Sequence, residues 1–309
     1  MRTAIPKSNF KRIHHRQPKL YLGGFCEEPS FLWVYERGKP YNPGIQKRHK
    51  FNPCKLGVTE LGEKDAYATV KADGKRDFEA IENRHQIIEH RADVVLRKIR
   101  AQSPISIAEK DIFAEYIQNM LWRTKKHEED IRPRLDMIQK NGPSRKIALE
   151  LAQAGQFTLS REHYDAIKYL ESDGGKKDLI LKSMVTRHPA IHQILNAMSW
   201  MFYIAASGTY FITSSAPVVF DPVGLLKSSL LFPVSKNIAL VATHDGKTDL
   251  EYVNASLDET MAINYYTITQ AQTIYGSREE YWIWDFLENG SRTDWITTLG
   301  TIMPFRTAG

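Results

Sequence analysis

The chain has 309 residues, of which 42% are hydrophobic, 25% charged and 11% aromatic, which excludes a disordered chain and suffices for one large core or two smaller lobes. Its net charge of +6 is uneven: residues 1–50, here called the basic head, carry eleven Lys or Arg and three acids, a net +8, and the rest carries −2. Such a head is typical of a chain that binds a polyanion, either nucleic acid or another phosphate-bearing ligand, or of a solubilising surface.

The predicted elements begin with short strands. After a loose basic arm over residues 1–12, aromatic and β-branched residues predict strands over 31–35 and 66–70. The longest helix follows and is indicated by residues at alternating spacings of three and four, a stripe that is expected to face the core. These residues are Phe78, Ile81, His85, Ile88, Ala92, Val95 and Ile99.

More helices are predicted through the middle of the chain. Ser106 and Glu109 form a capping box, in which each side chain satisfies a backbone donor at the start of a helix. Pro133 is expected to begin or kink the next helix. The remaining helices are predicted over residues 144–154, 160–171 and 177–206, with interruptions at Gly174-Gly175 and Pro189.

The pattern changes after residue 206. Short β-type runs alternate with turn residues over 209–213, 217–220, 230–234 and 238–243. A second capping box, Ser256 with Glu259, opens a helix. Its expected stripe is Met261, Asn264, Ile268, Ala271 and Tyr275. An aromatic cluster over 281–286 precedes a tail with weak pattern.

This order of elements predicts an α+β fold. A helical central region is flanked by β-containing N- and C-terminal segments that are expected to join. We divide the chain into a basic β-containing segment (1–75), a helical region (76–206) and a C-terminal α+β segment (207–309), all within one compact domain.

The predicted compartment is the cytoplasm. Cys26 and Cys54 form no disulfide framework, their spacing from His49 matches no zinc site, and residues 1–10 lack the apolar stretch of a secretory signal. The most apolar run, residues 190–206, is interrupted by polar residues, which predicts a buried helix rather than a membrane span. We predict no membrane contact, and the sequence indicates no oligomeric state.

Several short motifs follow one another along the chain. The first is His15-x-x-Pro18-x-x-Tyr21-Leu22-x-x-Phe25, and a later one is Phe211-Ile212-Thr213-Ser214-x-x-Pro217-Val218. Between and after them come Trp33-Val34-Tyr35, Tyr67, Glu82, Glu89, Arg123-Thr124, Phe232-Pro233-x-Ser235 and Asn264. Over about residues 13–275, this set resembles a bacterial family known only as domain of unknown function 4238. The resemblance implies no activity.

The chain departs from that family at one place. The strand motif usually reads Thr-Ser-Asp-Asn-Pro, whereas Ser215 and Ala216 occupy the Asp-Asn positions here. Because a serine cannot replace a carboxylate as a metal ligand or base, the departure argues against metal chemistry at this strand.

Glu82, His85 and Glu89 share one face of the longest helix. Glu-x-x-His is the spacing of carboxylate-bridged metal sites in helical bundles, and it also suits a carboxylate that orients an imidazole for acid–base work. A bundle site needs a second Glu-x-x-His and the sequence has none, so we predict no cofactor, with a divalent metal as the alternative. A structural reading has His85 bonded to a glutamate and the acids paired with Arg84 or Arg123.

The first motif is rich in groups that bind anions or move protons. They are His14, His15, Arg16, Lys19 and Tyr21. Neighbours in an extended chain point to opposite faces, so one histidine is expected to face a pocket, and the resemblance favours His15. Pro18 and Gly23-Gly24 are expected to deliver His15 and Tyr21 to the helix of Glu82 and Glu89. A structural histidine bonded to a backbone carbonyl is the alternative.

Two further polar residues fall in apolar surroundings. Arg123 is expected to pair with Glu82 or Glu89 as a salt bridge, or to bind an anion. Asn264 interrupts an apolar stripe, which indicates either a buried amide that specifies the fold or a ligand contact. The other candidates for ligand binding are Thr213 and Ser214.

Three functions fit these features. The first is a nucleic-acid-acting protein, with a metal-independent nuclease or phosphodiesterase as its specific form. In it His15 is the acid or base, Glu82, His85 and Glu89 are its partners, and Arg123 stabilises charge. The second is a non-catalytic nucleic-acid or protein-binding module of a bacterial defence or stress system. The third is an enzyme that acts on a small anionic substrate.

Overall fold

A computed structural model of the chain describes residues 13–15, 17–26, 32–37, 62–64, 69–70, 76–77, 80–141, 169, 172–221, 229–244, 249–278 and 280–289. The fold is α+β, with helices in the centre and strands towards both ends. Within the described part of the chain, no helix is both long enough and apolar enough to cross a bilayer.

The helices, in chain order, are α1 (Lys19–Leu22), α2 (Ala80–Arg100), α3 (Ile107–Trp122), α4 (Lys125–Asn141), α5 (Asp173–Val185), α6 (Pro189–Ala197), α7 (Leu257–Thr269) and α8 (Tyr281–Asn289). The strands are β1 (Ile13–His15), β2 (Trp33–Glu36), β3 (Gly62–Lys64), β4 (Thr69–Val70), β5 (Arg76–Asp77), β6 (Ser199–Ile204), β7 (Thr213–Ser214), β8 (Val219–Asp221), β9 (Ser229–Ser235), β10 (Ile238–Thr243), β11 (Glu251–Asn254) and β12 (Thr273–Gly276).

A five-stranded sheet in the order β11-β6-β10-β9-β8 lies at the centre of the fold. Its pairs are antiparallel, except that β11 runs parallel to β6. Every residue of β9 and β10 is buried, because both strands are continuous apolar runs rather than alternating ones. Strands of this kind bury both faces, so the sheet must be covered on two sides.

Helices supply both covers. On one face, Phe113 of α3 packs edge-on against Trp200 and tilted against Phe232, in a buried cluster that also includes residues of α2. On the other face, Ile263 and Ile268 of α7 share a buried cluster with strand residues of alternate register. The sheet therefore separates two apolar layers.

The N- and C-terminal β segments join, as predicted. β12 pairs antiparallel with both β2 and β7 in a three-stranded sheet. The Tyr35 hydroxyl donates to the Arg278 carbonyl at 3.2 Å and accepts from the Glu280 amide at 2.7 Å. A side chain of the basic head thereby holds the segment that leads into α8.

Local helix signals were reliable. Both predicted capping boxes form, at Ser106 with Glu109 and at Ser256 with Glu259. In α2 the predicted stripe from Ile81 to Ile99 is buried. These outcomes depend on contacts within one or two helical turns, which sequence spacing describes directly.

The prediction of a helix over 177–206, including the apolar run from 190, is wrong at both ends. Ser172 Oγ accepts from the Gly175 amide at 3.1 Å, so Gly174-Gly175 lies in the first turn of α5 instead of ending a helix. After α6 the chain forms β6, because Trp200 and Phe202 are buried while Ser199 and Met201 are only half-buried. That period of two fits a strand beside β10.

Two other helix boundaries differ from the prediction. Helix α4 begins at Lys125, so Pro133 lies inside it, on an exposed position where water can bind the carbonyl that proline leaves without a donor. Helix α7 ends at Thr269, so Ala271 lies beyond it and Tyr275 belongs to β12.

Of the strand predicted over 209–213, only Thr213 lies in a strand, at the start of β7. The Phe211 amide donates to the Lys236 carbonyl and the Ile212 amide to Asn264 Oδ1, so the backbone is satisfied without a ladder. The predicted helices over 144–154 and, apart from Tyr169, 160–171 lie outside the described residues, as do Cys54, His49 and the tail.

Candidate functional site

Glu89 and Arg123 form an ion pair between two helices. Glu89 projects from α2, and Arg123 follows the last residue of α3. Arg123 Nη1 donates to Glu89 Oε1, and the arginine side chain is 2% exposed while the glutamate is 21% exposed. Of the two outcomes predicted for Arg123, the salt bridge is the one present.

Tyr21 of α1 is bonded to the strand motif. Its hydroxyl lies 2.6 Å from Thr213 Oγ1 and donates to the Pro233 carbonyl at 2.7 Å. Because the single phenol proton goes to Pro233, Thr213 is the donor to Tyr21. The Tyr21 ring stacks on Phe232 with centroids 5.2 Å apart. Burial raises the pKa of Tyr21 well above its ordinary value, which keeps the hydroxyl protonated.

Tyr116 of α3 lies close to the Glu89–Arg123 ion pair and to Tyr21. It is fully buried, and its hydroxyl has no hydrogen-bond partner among the residues that the structure describes. Burial raises the pKa of Tyr116 most, the charge of Glu89 adds to this, and Arg100 and Arg123 act in the opposite direction. Three charged side chains therefore act on one buried hydroxyl.

Arg100 fixes the first motif to the end of α2. Its Nη2 donates to the carbonyls of Leu20, Tyr21 and Val234 at 3.0, 3.1 and 3.4 Å. A Cβ added at Gly24 would lie 2.5 Å from that nitrogen, so only glycine permits this approach. Arg100 thus makes hydrogen bonds between α2 and the backbone of α1.

The histidines of the first motif are described by their backbone alone. Strand β1 pairs antiparallel with β3, with His14 opposite Glu63 and His15 opposite Gly62. Their side chains, and all of Arg16, lie outside the described residues, so the roles of these three residues stay predictions. Lys19 begins α1 and is exposed.

His85 is fully buried between helices. Its Nδ1 lies within hydrogen-bond distance of the Asn119 side chain, whose Nδ2 donates to the Met184 carbonyl at 2.9 Å. Glu82, one turn earlier, has its Oε2 buried and without a partner in the described part of the chain. No three His, Cys, Asp or Glu side chains cluster at metal-binding distance among the described residues.

Asn264 and the strand motif serve the backbone. Asn264 is 1% exposed, donates to the Tyr210 carbonyl at 2.8 Å and accepts from the Ile212 amide at 2.9 Å. Ser214 Oγ accepts from the Ala216 amide at 3.2 Å. These two bonds are the contacts expected of a buried structural amide, one of the two alternatives for Asn264.

An open cleft of about 650 Å³, the α4 cleft, lies beside the start of α4. Its cationic side chains are Arg37, Lys125 and Lys126, and its acids are Glu129 and Asp130. Thr269 at the end of α7 and residues 270–273, which follow it, line the cleft together with Ser215 and Ala216 of the strand motif. Positive charge from the basic head and from α4 thus converges on one concave surface.

Ser215 of the strand motif and Gln17 of the first motif are bonded to each other in the wall of this cleft. Ser215 lines it, and its Oγ accepts from the Thr273 amide at 3.4 Å. Gln17, which is 6% exposed, donates from Nε2 to the Ser215 carbonyl at 3.1 Å. The first motif and the strand motif therefore meet again at this wall of the cleft.

A smaller cleft of about 280 Å³, the aromatic cleft, adjoins the first. Trp122, His127, Val218 and Phe220 line it. The two clefts share Lys126, Asp130, Ala216 and Gln270. The aromatic rings and the cationic wall thus line two adjoining clefts.

The sequence argument missed most residues of the two clefts. Lys125 and Lys126 carried a usable signal, since two cations in the first turn of a helix oppose the helix dipole. Arg37 and Phe220 carried none, because only the tertiary fold brings them to α4.

Comparison with known proteins identifies one family. A family model described as "Protein of unknown function (DUF4238)" matches residues 14–280. No curated protein and no solved structure matches the chain.

Proposed function

The chain belongs to the DUF4238 family, and we propose that it binds a phosphate-bearing polyanion, specifically nucleic acid, in the α4 cleft. The observation that carries this proposal is the convergence of Arg37, Lys125 and Lys126 at the start of a 17-residue helix. The backbone amides at a helix start carry partial positive charge and favour phosphate groups.

The two lysines are costly for the helix that carries them. Cations in a first turn oppose the helix dipole by about 0.3–1 kcal/mol each. Lys125 is 3.8 Å from Glu129 with both side chains exposed, and Lys126 forms no ion pair within the described part of the chain. Lys126 therefore opposes the helix dipole without an ion pair in the described part of the chain, and such a broken local rule is expected at a binding site.

The distribution of charge supports the same ligand. The basic head has a net charge of +8, and Arg37, which belongs to it, reaches the α4 cleft. Ser215 and Ala216 in the wall of the cleft are uncharged, so they add no negative charge to a surface that is proposed to bind an anion. Salt-dependent binding is the expected signature.

The test measures binding of labelled single-stranded RNA and DNA of about 15 nucleotides at about 50 and 200 mM salt. Lys126→Ala is expected to weaken binding several-fold and to lower the salt slope by about one. Lys182→Ala, which removes an exposed lysine from α5, is the matched control. Absence of salt-dependent binding by the wild type, or equal losses in both variants, overturns the proposal.

Hydrolysis of the bound nucleic acid is the second candidate. It is favoured by the Glu89 carboxylate, which is oriented by Arg123 through Oε1 and has no hydrogen bond to Oε2 within the described residues. A carboxylate so held can act as a base or orient His15. Incubation of labelled RNA and DNA with and without chelator, comparing wild type, His15→Ala and Glu89→Ala, tests it. Binding without cleavage by the wild type excludes the nuclease.

A further inference from the structure

The aromatic cleft adjoins the α4 cleft, so one ligand can extend from one into the other. Lys126 and Gln270 line each of them. Their volumes of about 650 and 280 Å³ fall close to the range of small-ligand sites, about 300–1,000 Å³. A group attached to a phosphate in the α4 cleft therefore meets the aromatic cleft next.

The rings in the aromatic cleft are held in place. Trp122 stacks against His127 with centroids 5.7 Å apart, and His188 meets the indole edge-on at 5.8 Å. Phe220 is half-buried and packs against the main core. A flat ligand thus meets rings whose orientation is already fixed, which lowers the entropy lost on binding.

The aromatic cleft combines apolar and polar lining residues. Val218 is buried beside the rings, whereas Asp130 and Gln270 stand where the two clefts meet. Burial lowers the pKa of His127, which favours a neutral ring over a cation near neutral pH. An uncharged planar group with hydrogen-bonding edges matches this combination.

We infer that the ligand is single-stranded nucleic acid, with a base in the aromatic cleft against Phe220 and Trp122 and its phosphate in the α4 cleft. This inference rests on the proposed function. Bases of a duplex are stacked on one another and cannot enter a recessed cleft, whereas unpaired bases stack readily on aromatic side chains. Asp130 can accept, and Gln270 can accept or donate, a hydrogen bond at the edge of the base.

The test compares a base-bearing oligonucleotide of about 15 units with an abasic phosphodiester of equal length and charge. The wild type is expected to bind the base-bearing strand about tenfold more tightly, or more. Phe220→Leu retains an apolar side chain for the core but removes the ring, so it is expected to reduce this preference. Lys126→Ala is expected to weaken the binding of both oligomers, since both carry phosphates.

The outcomes separate the inference from the function on which it rests. Equal binding of both oligomers by the wild type, or a duplex bound as tightly as the single strand, overturns the inference and leaves polyanion binding intact. Binding of neither oligomer overturns both. An unchanged base preference in folded Phe220→Leu, with folding checked by circular dichroism, also overturns the inference.

Discussion

Glu89 and Arg123 are 34 positions apart in the chain, and their ion pair ties α2 to the end of α3 with the guanidinium almost wholly removed from water. Glu89→Gln removes the charge of Glu89 from beside that buried guanidinium. Its free energy of unfolding is expected to fall by about 2–4 kcal/mol, measured by urea denaturation.

Glu82→Gln, on the same helix, is the control and should cost less than about 0.5 kcal/mol, because the Glu82 Oε2 has no partner among the described residues. Equal losses would contradict this account.

Tyr21 and Tyr116 offer a matched pair of fully buried phenols. Tyr21→Phe removes the hydroxyl that bonds Thr213 and Pro233 and is expected to cost about 1–3 kcal/mol. Tyr116→Phe removes a hydroxyl without a partner in the described chain and is expected to be neutral or stabilising. Thermal denaturation of both variants measures the two losses of stability. A larger loss for Tyr116→Phe than for Tyr21→Phe would contradict these hydrogen-bond assignments.

Adjacent glycines should respond differently to alanine. At Gly24 the new Cβ would lie 2.5 Å from Arg100 Nη2, which cannot withdraw without breaking bonds to backbone carbonyls. Gly24→Ala is therefore expected to cost about 1–3 kcal/mol. At Gly23 the backbone is helical and no atom lies within 4 Å, so Gly23→Ala should be neutral or slightly stabilising by chemical denaturation.

Lys126 is expected to show a conflict between binding and stability. Lys126→Glu places a negative charge in the first turn of α4, which should stabilise the protein by about 0.3–1 kcal/mol while it weakens nucleic-acid binding more than Lys126→Ala does. Calorimetry and a binding titration on one preparation measure both effects. A less stable variant would remove the argument that this lysine is costly for the helix.

His127 predicts a dependence of stability on pH. Burial lowers its folded-state pKa below the ordinary 6.5, so the unfolded chain binds the proton more readily. Stability is therefore full above about pH 6.5 and falls as the pH drops from there through the folded pKa. His127→Gln is expected to flatten this decline in unfolding free energy, whereas His90→Gln, an exposed histidine of α2, should retain the wild-type profile.

Interactions within a helix were predictable from the sequence. For contacts between distant segments, the sequence indicated only a set of alternative partners. The spacing of α2 predicted its buried face, and charge complementarity predicted Glu82 or Glu89 as the partner of Arg123, of which Glu89 forms the ion pair. The run that became β6 follows α6 with no turn signal, and its identity depends on pairing with β10, whose residues lie further along the chain. Arg37 reaches the α4 cleft only because β2 pairs with β12, which no local pattern encodes.

The pairing of β2 with β12 also constrains how the protein is made. Tyr35 bonds Arg278 across 243 residues of chain. At about 5–20 residues per second, the ribosome delivers the partner of β2 roughly 12–50 s after β2 itself has been synthesised. During that interval Trp33 and its neighbours lack their native strand partner. A nascent chain arrested before residue 273 should therefore leave this segment open to protease or chaperone, and one released after residue 289 should protect it.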